Sequence, residues 1–395
     1  MKHGWEIKKL GEVCRFINGR AYSKTELLSK GKYPVLRVGN FFTNNQWYYS
    51  DLELEEDKYC DNGDLLYAWS ASFGPRIWEG EKVIYHYHIW KVEPDTNIVS
   101  KEFLFQLLEW DTEALKTAHG TGTTMMHVGK GSIEKRLVPI PPLPEQQRIV
   151  SILDEAFAAI ARAKANTEQN LKNAKELFES YLQGVFENKG EGWEIKTLGE
   201  VSKINYGYTE KASFDEVGPK FLRITDIQEN GVDWDTVPYC KCSDKDLPKY
   251  KLEKGDIVFA RTGATTGKSY LIDNPPISVF ASYLIRLRMN SINEFIPEFI
   301  SYFFQTKTYW DKINAGISGS AQGGFNATKL GELEFHFPKS KTEQQAIVRQ
   351  LDALRAETQK LEAVYQKKID DLEELKKSIL QKAFAGELKT SQEVV

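Results

Sequence analysis

Hydrophobic positions along the chain fall into two long runs with a helical rhythm, separated by stretches of mixed rhythm. The first run is Ile149, Leu153, Ala156, Ile160, Ala163, Thr167, Asn170, Ala174, Leu177 and Tyr181. The second is Ile347, Leu351, Leu354, Thr358, Leu361, Tyr365, Lys368, Leu372, Leu375 and Ile379. Alternating steps of four and three give a 3.5-residue period, which predicts a coiled-coil seam on two long helices. Pro144 suits the first turn of one helix. Thr342, with Gln345 reaching back, can cap the other, and Gly386 is a natural stop. At 1.5 Å per residue each helix would span about 64 Å. That is too long for the core of one globular domain, so something must pack along it. Set antiparallel with Asn170 against Thr358, the seams match small residues to large ones: Ala156 to Leu372, Ala163 to Tyr365, Ala174 to Leu354. A polar layer then meets a polar layer, which fixes register. Two independent surface helices are the alternative.

The chain is a duplicate. Glu145 and Glu343 lie 198 positions apart, as do Phe186 and Phe384. Gly4-Trp5-Glu6-Ile7-Lys8-Lys9-Leu10-Gly11-Glu12-Val13 recurs as Gly192-Trp193-Glu194-Ile195-Lys196-Thr197-Leu198-Gly199-Glu200-Val201, and Gly63-Asp64-Leu65 as Gly255-Asp256-Ile257. A period this long means two related halves rather than a solenoid. Val83–Trp90 and Ser282–Arg288 read as strands. Phe103–Leu108 and Phe295–Phe304 read as short helices packed on them. The expected class is α+β: two pseudo-symmetric globular domains at opposite ends of an antiparallel coiled coil. The boundaries are residues 1–143 and 188–341 for the domains, 144–187 and 342–389 for the helices, and 390–395 for a tail.

With 41% hydrophobic and 27% charged residues, the composition is that of an ordinary soluble protein. The formal net charge of −4 argues against a uniformly basic coat on nucleic acid but leaves local basic faces open. The start of the chain lacks the apolar core of a signal peptide, which fits the cytoplasm. Cys240-Lys241-Cys242 has no second half of a zinc site and reads as two side chains of one strand. Gly263-Ala264-Thr265-Thr266-Gly267-Lys268-Ser269 is one residue short of a phosphate-binding loop, and Pro275-Pro276 follow too soon for its helix. Asn274-Pro275-Pro276-Ile277 has no aromatic ring to hold a flipped base, and reads as a turn. His86 and His88 lack a third metal ligand and read as structural histidines. No catalytic centre, cofactor site or metal site is expected in this chain.

What remains are polar, aromatic and basic loops placed alike in both halves. Candidates for nucleic-acid contact in the first are Arg20, Tyr22, Lys24, Arg37, Asn40, Ser70, Ser72, Arg76, Thr121, Thr123 and Lys130. In the second they are Tyr206, Tyr208, Lys211, Arg223, Arg261, Thr262, Thr265, Thr266, Lys268, Ser318, Ser320 and Gln322. Arginine and lysine pair with phosphates or guanine edges, and asparagine or glutamine with adenine. Trp69-Ser70-Ala71-Ser72 stands where the other half has Arg261-Thr262-Gly263-Ala264, so two related readers would read different sequences. Phe157, Leu171 and Phe178 widen the apolar stripe of the first helix and are candidates for docking a partner subunit or a recognition domain.

These motifs resemble the specificity subunits of Type I restriction-modification systems. The resemblance rests on Pro141-Pro142-Leu143-Pro144-Glu145-Gln146-Gln147-Arg148-Ile149-Val150 and on Leu380-Gln381-Lys382-Ala383-Phe384-Ala385-Gly386-Glu387-Leu388. It also rests on Phe221–Ile227 and on Gly255–Arg261, and it covers nearly the whole chain. Pro338-Lys339-Ser340-Lys341-Thr342 departs from the proline-rich lead-in of the first helix. The resemblance implies a non-catalytic subunit that binds double-stranded DNA, each domain reading half of a split asymmetric site while the helices set the gap. It implies two methyltransferase subunits carrying S-adenosylmethionine, joined by two restriction subunits using ATP and Mg where cleavage follows. The competing readings are a self-sufficient adenine methyltransferase and a coiled-coil scaffold with no DNA role.

Overall fold

The computed structural model describes residues 3–42, 45–70, 74–119, 129–188, 190–228, 231–291, 294–318 and 325–388. The chain forms two compact units: Met1–Glu168 with the stretch from Lys367 onward, and Gln169–Gln366. Among the described residues no helix is long and apolar enough to cross a membrane.

In the first unit, Glu6–Lys9 pairs antiparallel with Leu137–Ile140, tying the two ends of the globular domain together. A four-stranded antiparallel sheet runs Cys14–Asn18, Ile89–Pro94, Leu65–Ala68, Gly74–Ile77. A second sheet runs Tyr48–Ser50, Tyr33–Leu36, Val83–Tyr85, Tyr59–Cys60, with one parallel pair, Tyr33–Leu36 beside Val83–Tyr85. The helix Lys101–His119 buries Phe103, Leu104, Leu107 and Leu108 against Phe16, Leu65, Tyr67, Trp90 and Val92 of the first sheet.

The second unit is built on the same plan. It repeats the tie between Trp193–Thr197 and Glu334–Pro338, the sheet Ser202–Tyr206, Leu284–Met289, Ile257–Ala260, Ser269–Leu271, and the parallel pair Lys220–Leu222 beside Ser278–Phe280. Its domain helix is divided into Pro297–Phe303 and Lys307–Ser318. Leu10 and Leu198 are 188 positions apart, whereas Phe186 and Phe384 are 198 apart. The second copy has therefore gained ten residues, all within its globular domain.

Two expected strands are shorter than their sequence suggests. Val83–Trp90 breaks at His86-Tyr87-His88, and Ser282-Tyr283 forms a turn before Leu284–Met289. The chain leaves the parallel pair at that turn and enters the other sheet, so one apolar run serves two sheets. Cys240 and Cys242 lie in an irregular segment, not a strand. Cys240 donates its N–H to the Pro219 carbonyl, and burial pushes its thiol up to about 12. Asn274 takes a positive φ of 43° before Pro275, which closes the expected turn.

The long helices are Leu143–Glu187, of 45 residues, and Lys341–Phe384, of 44. Ser340, rather than Thr342, starts the second: its Oγ accepts from Glu343 N–H at 3.3 Å. Gly386 ends it with a φ of 75°, and Glu387 N–H returns to the Lys382 carbonyl. Each start is held by the same buried glutamine. Gln146 accepts from Ser100 N–H at 2.9 Å and donates to the carbonyls of Ile98 and Pro141, both at 2.8 Å. Gln344 accepts from Ile296 N–H at 3.0 Å and donates to Glu294 and Pro338 at 2.9 and 3.0 Å. Both amides are fully buried, so Glu-Gln-Gln is the joint between domain and helix.

Within each unit the two helix segments run antiparallel. In the first, Ile149 and Leu153 share a core with Leu380, Ala383 and Phe384, and Lys164 bonds Glu373 at 2.6 Å. In the second, Leu182 and Phe186 share a core with Val348 and Leu351. The apolar stripe departs from a strict heptad. After Thr167 it continues through Leu171, Ala174, Phe178 and Leu182, leaving Asn170, Leu177 and Tyr181 exposed. On the other helix Ile369 and Lys376 take the covered places expected for Lys368 and Leu375, and Leu361 and Leu375 are exposed. An α-helix drifts about 20° per heptad against a 3.5-residue repeat, and here the stripe follows the helix because it must face a domain as well as another helix.

The expected register is corrected too. Asn170 is exposed while Thr358 is only 2% exposed, so they share no buried polar layer. Tyr181, expected against Ile347, reaches Gln350 at 3.3 Å, and Phe178, expected against Gln350, lies under Arg355 at 4.7 Å. Contacts with the globular domains hold the helices instead. Tyr302 donates to Asp352 and Lys307 N–H to Gln183 in one unit, and Lys376 pairs with Glu109 at 3.4 Å in the other.

Candidate nucleic-acid interface

In each domain the loops at the strand ends meet at one backbone knot. In the first, Arg20 N–H donates to the Tyr85 carbonyl at 3.0 Å, His86 to Leu36 at 2.9 Å, Tyr87 to Arg20 at 3.0 Å and Trp69 to His88 at 3.1 Å. In the second, Tyr208 donates to Phe280 at 2.7 Å, Ala281 to Leu222 at 2.9 Å and Arg261 to Tyr283 at 3.2 Å. The turns His86-Tyr87-His88 and Ala281-Ser282-Tyr283 are thus equivalent hubs. Gly19 and Gly207 make the crossing possible, because a Cβ there would stand 2.4 Å from the carbonyl oxygens of Tyr85 and His86, or 2.2 Å from that of Ala281.

Around the first hub, Arg37, Val38, Gly39, Asn40, Gln46, His86 and His88 line a concavity of about 230 Å³. Arg37 is exposed, lies over the Tyr48 ring at 5.3 Å and has no carboxylate partner among the described residues. The Asn40 amide donates to the Gln46 carbonyl at 2.7 Å. His86 is pushed down to about 4, first by burial and then by His88 and Arg37, so its imidazole is neutral at pH 7. Trp69 packs on Trp90 and His88 and donates its indole N–H to the Tyr87 carbonyl at 2.8 Å. This tryptophan props the hub from behind.

The other candidates of the first domain sit differently. Arg20 bonds Glu26 at 2.7 Å, which with the Ser23 N–H holds that carboxyl down at about 2. Tyr22 stacks on His86, and burial raises its hydroxyl. Arg76 rests on Phe41 and Phe42 outside the concavity. Ser70 is buried, Lys24 is exposed, and Lys130 stands 3.7 Å from Glu134. Ser72, Thr121 and Thr123 lie outside the described residues.

The second domain arranges its polar groups otherwise. Arg223, the counterpart of Arg37, is turned inward: its Nε and Nη2 grip both oxygens of Asp226 at 3.0 and 2.6 Å. Arg261, the counterpart of Trp69, lies 4.9 Å over the Tyr206 ring, and its Nε is buried without a partner. Tyr206 is pinned because its hydroxyl accepts from Ala327 N–H at 3.1 Å, and the Arg261 carbonyl accepts from Phe325 N–H at 3.0 Å. Tyr208 packs on Tyr250, Thr266 is buried with its hydroxyl on the Gly263 carbonyl, and Lys211 is exposed. Thr262 precedes the short turn Gly263–Thr265. Lys268 lines a separate cavity of about 670 Å³ with Tyr270, Trp310 and Arg355. Ser320 and Gln322 lie outside the described residues, as does the side chain of Ser318.

The structure therefore brings Arg37 and Asn40 together with Gln46, His86 and His88, three residues that sequence reasoning did not select. The available signal was length: an unbroken strand across Val83–Pro94 would be about twice the usual five or six residues. Of the docking candidates, Phe157 packs at the edge of the first core under Lys376 at 5.0 Å, and Phe178 packs on Tyr302 under Arg355. Leu171 is half-buried. The same cation–ring contact thus joins the helices in both units, with the arginine and lysine at non-equivalent positions.

Comparison with known proteins adds a family to this plan. The model of the Type I restriction modification DNA specificity domain matches residues 2–173 and 190–373. The chain is 26% identical to the Type I restriction enzyme MjaVIII specificity subunit of Methanocaldococcus jannaschii, over 98% of its own length and 93% of that protein. It is 25% identical to the EcoKI specificity subunit of Escherichia coli, over 98% and 90%. A solved chain concerned with complex assembly and conformational transition of the type I R-M system shares the fold. Its TM-score is 0.78 at 20% identity, across 98% of this chain and 99% of that one. With both halves matched and the duplicated loop clusters in place, the chain belongs to the Type I restriction modification DNA specificity domain family.

Proposed function

We propose that this chain is the DNA-reading subunit of a Type I restriction-modification assembly and supplies no chemistry of its own. Each domain reads one half of a split, asymmetric site in double-stranded DNA, and the long helices set the unread gap. Two methyltransferase subunits bring S-adenosylmethionine and modify an adenine in each half, in the cytoplasm, and two restriction subunits using ATP and Mg join where cleavage follows. The observation that carries this reading is the pair of equivalent backbone hubs surrounded by different side chains: Arg37, Asn40 and His88 at one, Arg261, Tyr206 and Tyr283 at the other. One frame that presents two different polar surfaces suits two different half-sites. Mapping methylated adenines in source cells with and without the gene tests it. The expected result is one two-part motif that disappears with the gene. Methylation that persists unchanged would refute the reading, and S-adenosylmethionine bound by the purified chain alone would favour a self-sufficient methyltransferase.

A further inference from the structure

Resting on that reading, we infer that Arg37 and Arg261 each read a guanine in their own half-site, and that Arg223 reads no base. The arginines are unequal in what they already hold. Arg223 spends its planar fork on both oxygens of Asp226, whereas Arg37 and Arg261 have no carboxylate partner among the described residues. Each of the latter lies over a tyrosine ring, Tyr48 at 5.3 Å and Tyr206 at 4.9 Å. A ring face against a guanidinium narrows the orientations its fork can take. A phosphate accepts from many directions and needs no fixed plane, but O6 and N7 of guanine lie in the base plane and take two parallel N–H bonds from one orientation. The surroundings agree. Arg37 faces a concavity lined by amide and imidazole groups, and the buried Nε of Arg261 holds no partner within the chain, so its guanidinium is not committed as that of Arg223 is. The reading arginine occupies non-equivalent loops in the two domains, so the guanines fall at different places relative to each hub.

The test is selection from a randomised duplex library at two salt concentrations, using the full chain captured from its source cells with its bound subunits. Arg37→Lys and Arg37→Ala should each relax preference for G·C at a single position of one half-site by about 5- to 150-fold. Arg261→Lys should do the same in the other half, and Arg223→Ala should leave both halves unchanged. Uniform weakening by Arg37→Ala with a shallower salt slope, and full preference in Arg37→Lys, would make these phosphate contacts and overturn the assignment. Relaxed base preference in Arg223→Ala would overturn it as well. If the unaltered assembly selects no sequence, the DNA-reading function itself fails, a result distinct from either.

Discussion

Replacing Gln146 by leucine would leave the Ser100 N–H and the carbonyls of Ile98 and Pro141 without partners in the joint between domain and helix. An orphaned buried polar group costs about 1–3 kcal/mol, so Gln146→Leu should destabilise the first unit by at least that much. Hydrogen exchange should quicken in Lys101–His119, and Gln344→Leu should do the same around Pro297–Phe303. His86 gives a pH signature. Its imidazole takes a proton near 6.5 when unfolded but only near about 4 when folded, chiefly because of burial. Between those values the unfolded chain binds the proton and the folded chain does not, so stability is fully present above about 6.5 and is lost as pH falls toward 4. The first domain should melt progressively lower across that window, and His86→Gln should flatten the dependence. The glutamines were visible in the sequence as a repeated motif, yet their role was not. A helix-opening glutamine reads as solvent-facing until the strand end and the domain helix close over it.

At the scale of elements, each long helix begins in the core of one domain and ends in the core of the other. Phe384 packs on Phe103 and Trp110 of the first domain, with ring centroids 5.4 and 5.2 Å away. Phe186 occupies the matching place against Phe299 and Phe303 of the second. Truncating a buried phenylalanine costs about 3–5 kcal/mol. Phe384→Ala should therefore open the first domain, more than 240 residues upstream in sequence, and Phe186→Ala the second. Hydrogen exchange resolved by unit distinguishes the two, whereas a single melting curve would blend them. Apolar periodicity was enough to place both helices. It misplaced three of the ten positions in each seam, because a heptad assumes that only another helix is being faced. Here Thr167, Leu171, Ala174, Phe178 and Leu182 advance by four, three, four and four, turning the stripe toward the second domain.

For the whole molecule, the proposed gap-setting role of the helices has a length attached. One added turn in each long helix lengthens it by about 5.4 Å, and DNA advances about 3.4 Å per base pair. Matched one-turn insertions should lengthen the unread gap in the methylated motif by one or two base pairs, and an unchanged gap would refute the role. The sequence by itself determined the duplication, the two long helices, the α+β class and the absence of a recognisable phosphate loop, because these follow from repeats, periodicity and local backbone preference. Tertiary structure alone decided which polar residues stand at a hub. Arg37 and Arg223 occupy equivalent places, yet one is open and the other closed by Asp226. His86 and His88, read as strand residues, line a concavity because the chain changes sheets between them. Local pattern reports which face a residue prefers. Availability for a ligand depends on partners brought from distant stretches of chain, and one-dimensional pattern carries no record of those.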